Sequence, residues 1–515
     1  MTFFSEYSTQ TKNQKHFKTI FELENTPLYI ANSLRRSFSS LVPTTSFDDT
    51  YFDKKEDRSI QINTNTSALH NEFLSHRLSL IPINLENKDN LKIKTFLDKN
   101  DIRKFDFNNP ETIPIFNMKI KNNIDQISKR DKDGLIDVTT HHFVNTDSEY
   151  TIGEYFPLDV FTQEPILINR LKFNITNNDD GDELDITCIP RIGQGKQNSR
   201  YDPTGTVTFQ FKTESADIVD SVFKKKLEYL NNERVSKGLP KFTEEEETQQ
   251  QKTFNLLDKD RVFKKNENGN PDIFQFSVES IGFLNPDQII YDGITMLYLL
   301  IKDISNNINI SSNKEILSYN TKGNVSITNL QNTNNLGINI NVNNENHTIG
   351  NLVNSIIRDY YCGQKAFEAN LLSIASYKME HPTIENIDFM IVPNTEISKE
   401  LYITYIKNII SKDASFKYSY INPEWDIHDI RNLFCTLLFI KSLNIAMYKL
   451  QLLLNEFSTI SKITEPNFIV TNKLDYYTKN KKLVGNVINN SDNDYKEYYE
   501  KLNISPFFKT ENLIS

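Results

Sequence analysis

NTPLYIANSLRRSF (residues 25–38) and HTIGNLVNSIIRDY (residues 347–360) stand far apart in the chain, yet both read as the start of a helix of the same kind. In the first, Thr26 and Pro27 precede an apolar face of Ile30, Leu34, Phe38 and Leu41; in the second, Thr348 precedes Ile349, Leu352, Ile356 and Tyr360. A hydroxyl residue or proline just before a periodic apolar face marks a helix N-terminus. Within the two stretches, NSLRR (32–36) and NSIIR (354–358) align without a gap. Each copy is followed, further along, by a long apolar seam. After NPDQ, Asn285 is placed to accept from first-turn amides and Pro286 sits where its missing N–H does no harm. Ile290, Ile294, Leu297, Ile301 and Ile304 then recur at spacings of four and three. The second seam runs through Phe439, Leu443, Ala446, Leu450, Leu453 and Phe457, with Lys441, Asn444 and Lys449 interspersed. One such seam packs readily on its own domain. Two of them, each closing the same order of segments, point to a duplicated α/β module whose copies associate.

Bulk properties narrow the function. At 515 residues the chain divides into roughly three units of about 100 to 200 residues each. Fifty-eight Lys and Arg against 68 Asp and Glu give a formal charge of −10, which argues against holding DNA by phosphate neutralisation. The three cysteines, Cys188, Cys362 and Cys435, lie far apart; this excludes a disulfide framework and a thiolate zinc site, and fits a reducing compartment. No uncharged apolar run approaches the roughly 20 residues that span a bilayer, and the N-terminal stretch lacks a signal-peptide core, so a soluble intracellular protein is expected. Catalytic chemistry finds little support. His70 and His76 are six residues apart, about 240° around a helix, and do not share an ion. RIGQGK (191–196) is too short to mark a phosphate loop, and the glutamates at 244–247 read as a solvated helix face.

Composition marks the joints. Residues 305–346 are dense in asparagine and read as a linker followed by an edge strand at GININV (337–342). Residues 213–270 carry a helical pattern through Phe223, Leu227 and Leu230 and then EEEETQQQ, the marks of a solvated surface insertion. Residues 475–515 read as a polar tail tethered through its aromatics. NTSALHNEFLSHRLSLIPI (65–83) has two apolar stripes, Leu69, Phe73 and Leu80, and Leu74, Leu78 and Ile81, so it is expected to be buried nearly all round. His76 and Arg77 are unusual there, and suit polar anchors at an interface; a satisfied core histidine is the alternative for His76.

Six segments taken together carry a resemblance. NTPLYIANSLRRSFSSLVPT (25–44), NTSALHNEFLSHRLSLIPI, SRYDPTGTVTFQF (199–211) and FSVESIGFLNPDQIIYDGI (276–294) resemble, in order, the larger alpha-like subunit of cellular RNA polymerases, the third subunit of eukaryotic RNA polymerase II. HTIGNLVNSIIRDY and ASYKMEHPTIENIDFMI (375–391) resemble the smaller alpha-like partner, the eleventh subunit. Cellular organisms make the two separately; a single fused chain is similar to the arrangement in large cytoplasmic DNA viruses.

The resemblance implies an α+β fold: two alpha-like dimerisation modules, helices on mixed or antiparallel sheets, pairing in cis, the first interrupted by an inserted, mostly β domain. The first module would comprise 17–58 and 207–304, with the insertion at 213–270 on its surface, and the inserted domain 59–206. A linker at 305–335, the second module at 336–460 and a tail at 461–515 would follow. Leu34, Phe38, Ile294, Leu297, Ile301, Leu352, Ile356, Leu443 and Leu450 would form the shared core, joined through a flexible linker of about 30 residues that reaches about 30 Å. The family platform contributes no catalytic residue, so the chain is expected not to be an enzyme by itself. It would bind the second-largest and then the largest polymerase subunit, with small zinc-ribbon subunits, and meet DNA and RNA only through the complex. No membrane and no homodimer are expected. Arg35 and Arg36 occupy the family's paired-arginine position and would face a partner, together with His76 and Arg77. Many family members bind zinc or an iron–sulfur cluster in the inserted domain; residues 84–187 contain no cysteine here, so no metal and no cofactor are expected. The compartment would be the host cytoplasm and virion for a viral chain, the nucleus for a cellular one. A free-standing transcription accessory protein with an alpha-like fold is the competing reading.

Overall fold

The computed structural model describes residues 2–49, 58–86, 88, 91–96, 104–107, 110–123, 134–145, 150–173, 181–267, 269–312, 317–321, 323–330, 337–363, 370–412 and 424–471. The chain opens with a hairpin, β1 (Phe4–Lys12) and β2 (Lys15–Leu23), that leads into helix α1 (Leu28–Ser40). A long excursion follows through β3 (Pro43–Ser46), β4 (Ile60–Asn65), α2 (Asn71–Ser79), β5 (Ile93–Phe96), β6 (Lys104–Phe107), β7 (Phe116–Lys121), β8 (Ile136–Thr139) and β9 (Val144–Asn145). It continues through α3 (Ile152–Tyr155), β10 (Leu167–Leu171), β11 (Glu183–Cys188) and β12 (Arg191–Gln194). The chain then runs through β13 (Thr204–Phe211), α4 (Ala216–Ser236), α5 (Glu244–Leu257), β14 (Phe274–Ser280) and α6 (Pro286–Asn306). Beyond these come β15 (Ile308–Ser312), β16 (Leu317–Thr321), β17 (Val325–Asn329), β18 (Ile338–Asn343) and α7 (His347–Tyr361). The last elements are β19 (Leu372–Lys378), β20 (Asn386–Pro393), α8 (Lys399–Lys412), α9 (Ile427–Ser461) and β21 (Phe468–Thr471).

Two of the sheets repeat one topology. The first has the order β1-β2-β14-β13, the second β17-β18-β20-β19, and all the pairings are antiparallel. In each, a hairpin feeds a helix (α1 or α7), a second hairpin returns to the sheet, and a long helix (α6 or α9) ends the unit. Alternation decides the faces: Phe274, Phe276 and Val278 of β14 are buried while Gln275, Ser277 and Glu279 between them are half-buried. Helices α1 and α6 lie on the first sheet and α7 and α9 on the second, and the pairs pack α6 on α9 and α1 on α7. The expected core residues Leu34, Phe38, Ile294, Leu297, Ile301, Leu352, Ile356, Leu443 and Leu450 are all buried in this layer. Aromatic rings fill its first half, Phe21 stacked on Phe276 at 5.0 Å and Phe4 against Phe457 of α9 at 5.3 Å. Helix α9 is, among the described residues, long and apolar enough to cross a membrane, but nearly all of that apolar stretch is buried inside the chain. Its Lys441 and Lys449 stand over the rings of Tyr361 and Tyr360 at 5.7 and 5.4 Å.

The helix starts follow local chemistry. Asn285 Oδ1 accepts from Asp287 N at 3.0 Å and Pro286 takes the first helical position of α6. Asn346 Oδ1 does the same for Thr348 N at 2.9 Å, so Asn346 rather than Thr348 caps α7.

Several expectations need correction. The first sheet begins at Phe4, not 17, because β1 pairs along β2, and the expected boundary at 207 falls inside β13. Residues 305–335 are not a free linker. They carry a two-stranded hairpin, β15 and β16, and then β17, which is an edge strand of the second sheet and moves its start to Val325. Asn307 Nδ2 donates to Asn324 Oδ1 at 3.1 Å and to Asp303 Oδ2 at 2.8 Å, so the two ends of the hairpin are held together. Asparagine-rich composition reads as loop, but here the amides close the joint. GININV is an interior strand, hydrogen-bonded to β17 and β20, and not an edge. The region 213–270 forms a two-helix arm between β13 and β14, with Phe223 and Phe254 in contact at 5.3 Å and Tyr229, Leu256 and Leu257 exposed. Thr243 and Glu246 form a capping box that starts α5, which accounts for part of the glutamate run. The expected tail at 461–515 begins with β21, paired in parallel with β5; the tail expected at 475–515 lies outside the described residues.

Candidate assembly interface

Helix α2 is built to show one face. His70 caps it, Nδ1 accepting from Glu72 N at 3.3 Å, and Leu74 and Leu78 are fully buried beneath it. Of the other apolar stripe, Leu69 packs half-buried against the core, but Phe73 is 62% and Leu80 64% exposed, which corrects the expectation of burial nearly all round. A helix pinned by residues four apart buries one side only, and the side seven apart is left to solvent. Leu167 on β10, 37% exposed, is tied to the helix through its backbone, Arg77 Nη2 donating to its carbonyl at 2.8 Å. His76 Nε2 lies 3.5 Å from Asp49 Oδ2. The nearly buried Arg200 pairs with that same Asp49 and with Asp48, the latter at 3.1 Å. Both anchors are therefore tied to their own domain at the surface, and each leaves part of its side chain exposed beside three large apolar groups. Large exposed apolar groups beside an arginine are the composition of an interface centre, with Glu72 and Asp49 at its rim. Arg200 lies within SRYDPTGTVTFQF with no pattern to mark its role, and the strand of Leu167 is too short to show one.

The two arginines of α1 part company. Arg35 donates to Asn32 Oδ1 through Nε and Nη2, at 3.3 and 3.1 Å. Burial, and then the neighbouring Arg36, push its guanidinium below the usual range. Arg36 instead reaches the other module, its Nε donating to Thr348 Oγ1 at 2.7 Å. The same junction holds Lys196, which pairs with Glu385 and donates to Asn344 O at 3.3 Å. The glycines of RIGQGK are explained by this seam: a Cβ on Gly195 would sit 2.2 Å from Ser39 O, and one on Gly193 2.4 Å from the Tyr201 ring. Clearance requires both, from α1 at Gly195 and from the Tyr201 ring at Gly193.

Charge inside the helical layer is used for fastening. Asp287 accepts from Tyr7 Oη at 2.6 Å and Thr19 Oγ1 at 2.7 Å. Burial pulls the Lys449 ammonium down to about 8 against the attraction of Asp359. Burial pushes the Asp292 carboxyl up to about 8, opposed by Gln288 Nε2 donating at 2.8 Å and Asn467 N at 3.0 Å. Asp292 ordinarily ionises near 3.8; between that value and about 8 the unfolded chain has released a proton that the folded chain retains, so this group makes stability fall as pH rises through that window. Asp292→Asn keeps the acceptor and removes the titration. Its denaturation midpoint is expected to match the wild type best near pH 4 and to exceed it increasingly up to pH 8, by at most about 1.4 kcal/mol per pH unit; parallel pH profiles would refute the assignment. The cysteines offer no thiolate near neutral pH, since burial pushes Cys188 and Cys435 far up and Cys362 up to about 11.

The chemistry so assembled is that of binding: an exposed apolar face with a basic rim, on a pair of modules locked by buried polar contacts. Comparison with known proteins agrees with this. Residues 20–298 match the RNA polymerase Rpb3/Rpb11 dimerisation domain. The chain is 26% identical over 297 residues to subunit 3 of DNA-directed RNA polymerases II, IV and V of Arabidopsis thaliana, covering 54% of this chain and 83% of that protein. It is 24% identical over 332 residues to DNA-directed RNA polymerase II subunit RPB3 of Schizosaccharomyces pombe, covering 61% and 95%. A third relative, subunit Rpo3 of the DNA-directed RNA polymerase of Archaeoglobus fulgidus, is 23% identical over 197 residues, covering 38% and 58%. With more than half of its length matched and the paired sheets and helices of a dimerisation unit, the chain belongs to the RNA polymerase Rpb3/Rpb11 dimerisation domain family.

Proposed function

We propose that this protein is a non-catalytic assembly platform of a DNA-directed RNA polymerase, carrying both alpha-like modules of the platform in one polypeptide. The observation that carries the reading is the repeated topology, β1-β2-β14-β13 and β17-β18-β20-β19, with the long closing helices α6 and α9 packed on each other. A pair of unlike modules presents two unlike faces, and the exposed face of α2 with Phe73, His76, Arg77 and Leu80 is the one that receives the second-largest subunit. The largest subunit and small zinc-ribbon subunits join afterwards, and DNA and RNA are met only through the complex, in keeping with the net charge of −10. Fusion of the modules suits transcription in the cytoplasm by a large DNA virus, with the enzyme packed into the virion. The full chain, tagged and purified from its source, is expected to bring down the two largest polymerase subunits in equal amounts and no separate small alpha-like subunit. Recovery of the chain without them would favour a free-standing accessory protein and end the platform reading.

A further inference from the structure

Besides their packed helices, the two modules are tied at both ends of the second one. The first joint is covalent, where Asn307 and Asn324 close the β15–β16 hairpin. The second lies at the far end of α9, where Lys462 takes a left-handed conformation (φ 63°) that stops the helix and turns the chain back across the first module. There Tyr291 Oη donates to Thr464 O at 3.0 Å and Gln288 Nε2 to Glu465 O at 3.1 Å. Asn467 N donates to Asp292 Oδ1 at 3.0 Å, Pro466 is buried, and Phe468 is 2% exposed. The segment then becomes β21 and pairs in parallel with β5 over Phe468–Thr471 against Ile93–Phe96, covering an edge that β6 leaves open on its other side. All three donors or acceptors on α6 (Gln288, Tyr291 and Asp292) fall within two turns at its start, and all contact backbone of the returning chain. Just before the turn, Glu456 accepts from Phe3 N and Phe4 N at 2.8 and 3.0 Å, so the last turns of α9 are also tied to β1.

We infer that residues 462–471 are an intrachain latch: a strap that fastens the second module to helix α6 and to the excursion sheet, and so keeps the paired modules from parting or exchanging with another chain. The packing of α6 on α9 and of α1 on α7 joins the modules along their helical layer; the strap adds a tie at the far end of α9, so that the second module is bound to the first at its beginning and at its end. The inference rests on the pairing of the two modules in the proposed function, but it is read without any polymerase subunit.

The test uses the full chain with a specific protease site placed between β15 and β16. After cleavage the second module is held only by non-covalent contacts, and its release from the first is followed by exchange with an excess of labelled, equally cleaved chain. Three variants are compared with the parent: a chain ending at residue 471, a chain ending at 461, and a full chain carrying Gln288→Ala, Tyr291→Phe and Asn467→Pro. Release from the chain ending at 471 is expected to match the parent. Release from the triple variant is expected to be about 100-fold faster, as the loss of three net hydrogen bonds gives, and release from the chain ending at 461 faster still, because it also loses the pairing of β21 with β5. Hydrogen exchange at Ile93–Phe96 should rise in the same two variants while the α6–α9 seam stays protected. Equal release rates from the 461 and 471 chains, or from the triple variant and its parent, would overturn the latch. If the 461 chain does not fold, the triple variant decides alone. Faster release together with failure to recover polymerase subunits would leave the latch standing and remove the platform, and the converse result would do the opposite.

Discussion

Phe73→Asp combined with Leu80→Lys is expected to leave the chain folded and to abolish recovery of the second-largest polymerase subunit. Both side chains are mostly exposed, at 62% and 64%, so their loss removes little from the chain's own core. The charges are chosen to suit the helix: an acid in the first turn of α2 and a base at its C-terminal cap both favour the macrodipole. In the complex the same two positions would be the apolar centre of the interface, where a large anchor residue contributes about 2 kcal/mol or more. Two anchors lost together correspond to an affinity lower by about a thousandfold, at 1.4 kcal/mol per factor of ten. Pull-down with the purified second-largest subunit, beside a melting curve, checks both halves. Unchanged recovery would move the interface away from α2; a fall in the melting midpoint of more than a few degrees would mean that the stripe is packed within the chain. Arg36 is a poorer choice for this experiment than its position in NSLRR suggested, since its bond to Thr348 makes any loss of assembly inseparable from a loosened module pair.

Gly293→Val is expected to cost about 1 to 3 kcal/mol and to lower the yield of soluble protein. Gly293 lies where α6 meets α1: a Cβ there would stand 2.5 Å from Phe38 Cδ1 and 3.3 Å from Phe38 Cα, and Ser37 Oγ donates to the Gly293 carbonyl. The ring could swing, but the backbone of α1 could not stay, and Phe38 also rests on Phe276 at 6.3 Å, which stacks on Phe21. Movement of α1 would therefore open the aromatic core of the first module, and overpacking that displaces backbone is more damaging than an added methyl group in a soft site. Phe38→Ala should by itself be destabilising by several kcal/mol through the cavity it leaves. In combination with Gly293→Val it should restore part of the loss, because the valine then occupies space the ring has vacated. Denaturant midpoints of the two single variants and the double give the coupling; strictly additive losses would show that the two residues do not meet.

The elements that sequence made legible are the ones whose cause is local. The faces of α1 and α7 could be read from apolar residues three and four apart, and the Asn285–Pro286 start of α6 from capping chemistry, because a helix satisfies its own backbone within a few residues. The duplicated order of helix and seam was visible for the same reason. Helices α6 and α9 are instead buried on nearly every side, Lys441, Asn444 and Lys449 included. Strands were harder. β15, β16 and β17 lie in an asparagine-rich stretch with too few apolar residues to show a period of two; β15 and β16 pair with each other, β17 pairs with the neighbouring β18, and the Asn307–Asn324 bond holds the ends of the hairpin together.

What the sequence by itself determined is therefore the repeated order of opening helix and long apolar seam, and the apolar faces of α1 and α7. Only the tertiary structure decided how those faces are used. It divided Arg35 from Arg36, gave one stripe of α2 to the core and left the other in solvent, made the glycines of RIGQGK a matter of clearance, and drew residues 462–471 back over α6. Each of those outcomes depends on contacts between residues far apart in the chain, such as Arg36 with Thr348 or Asn467 with Asp292. Local periodicity records which side of an element avoids water, but not which distant element covers it, and that choice is made by packing.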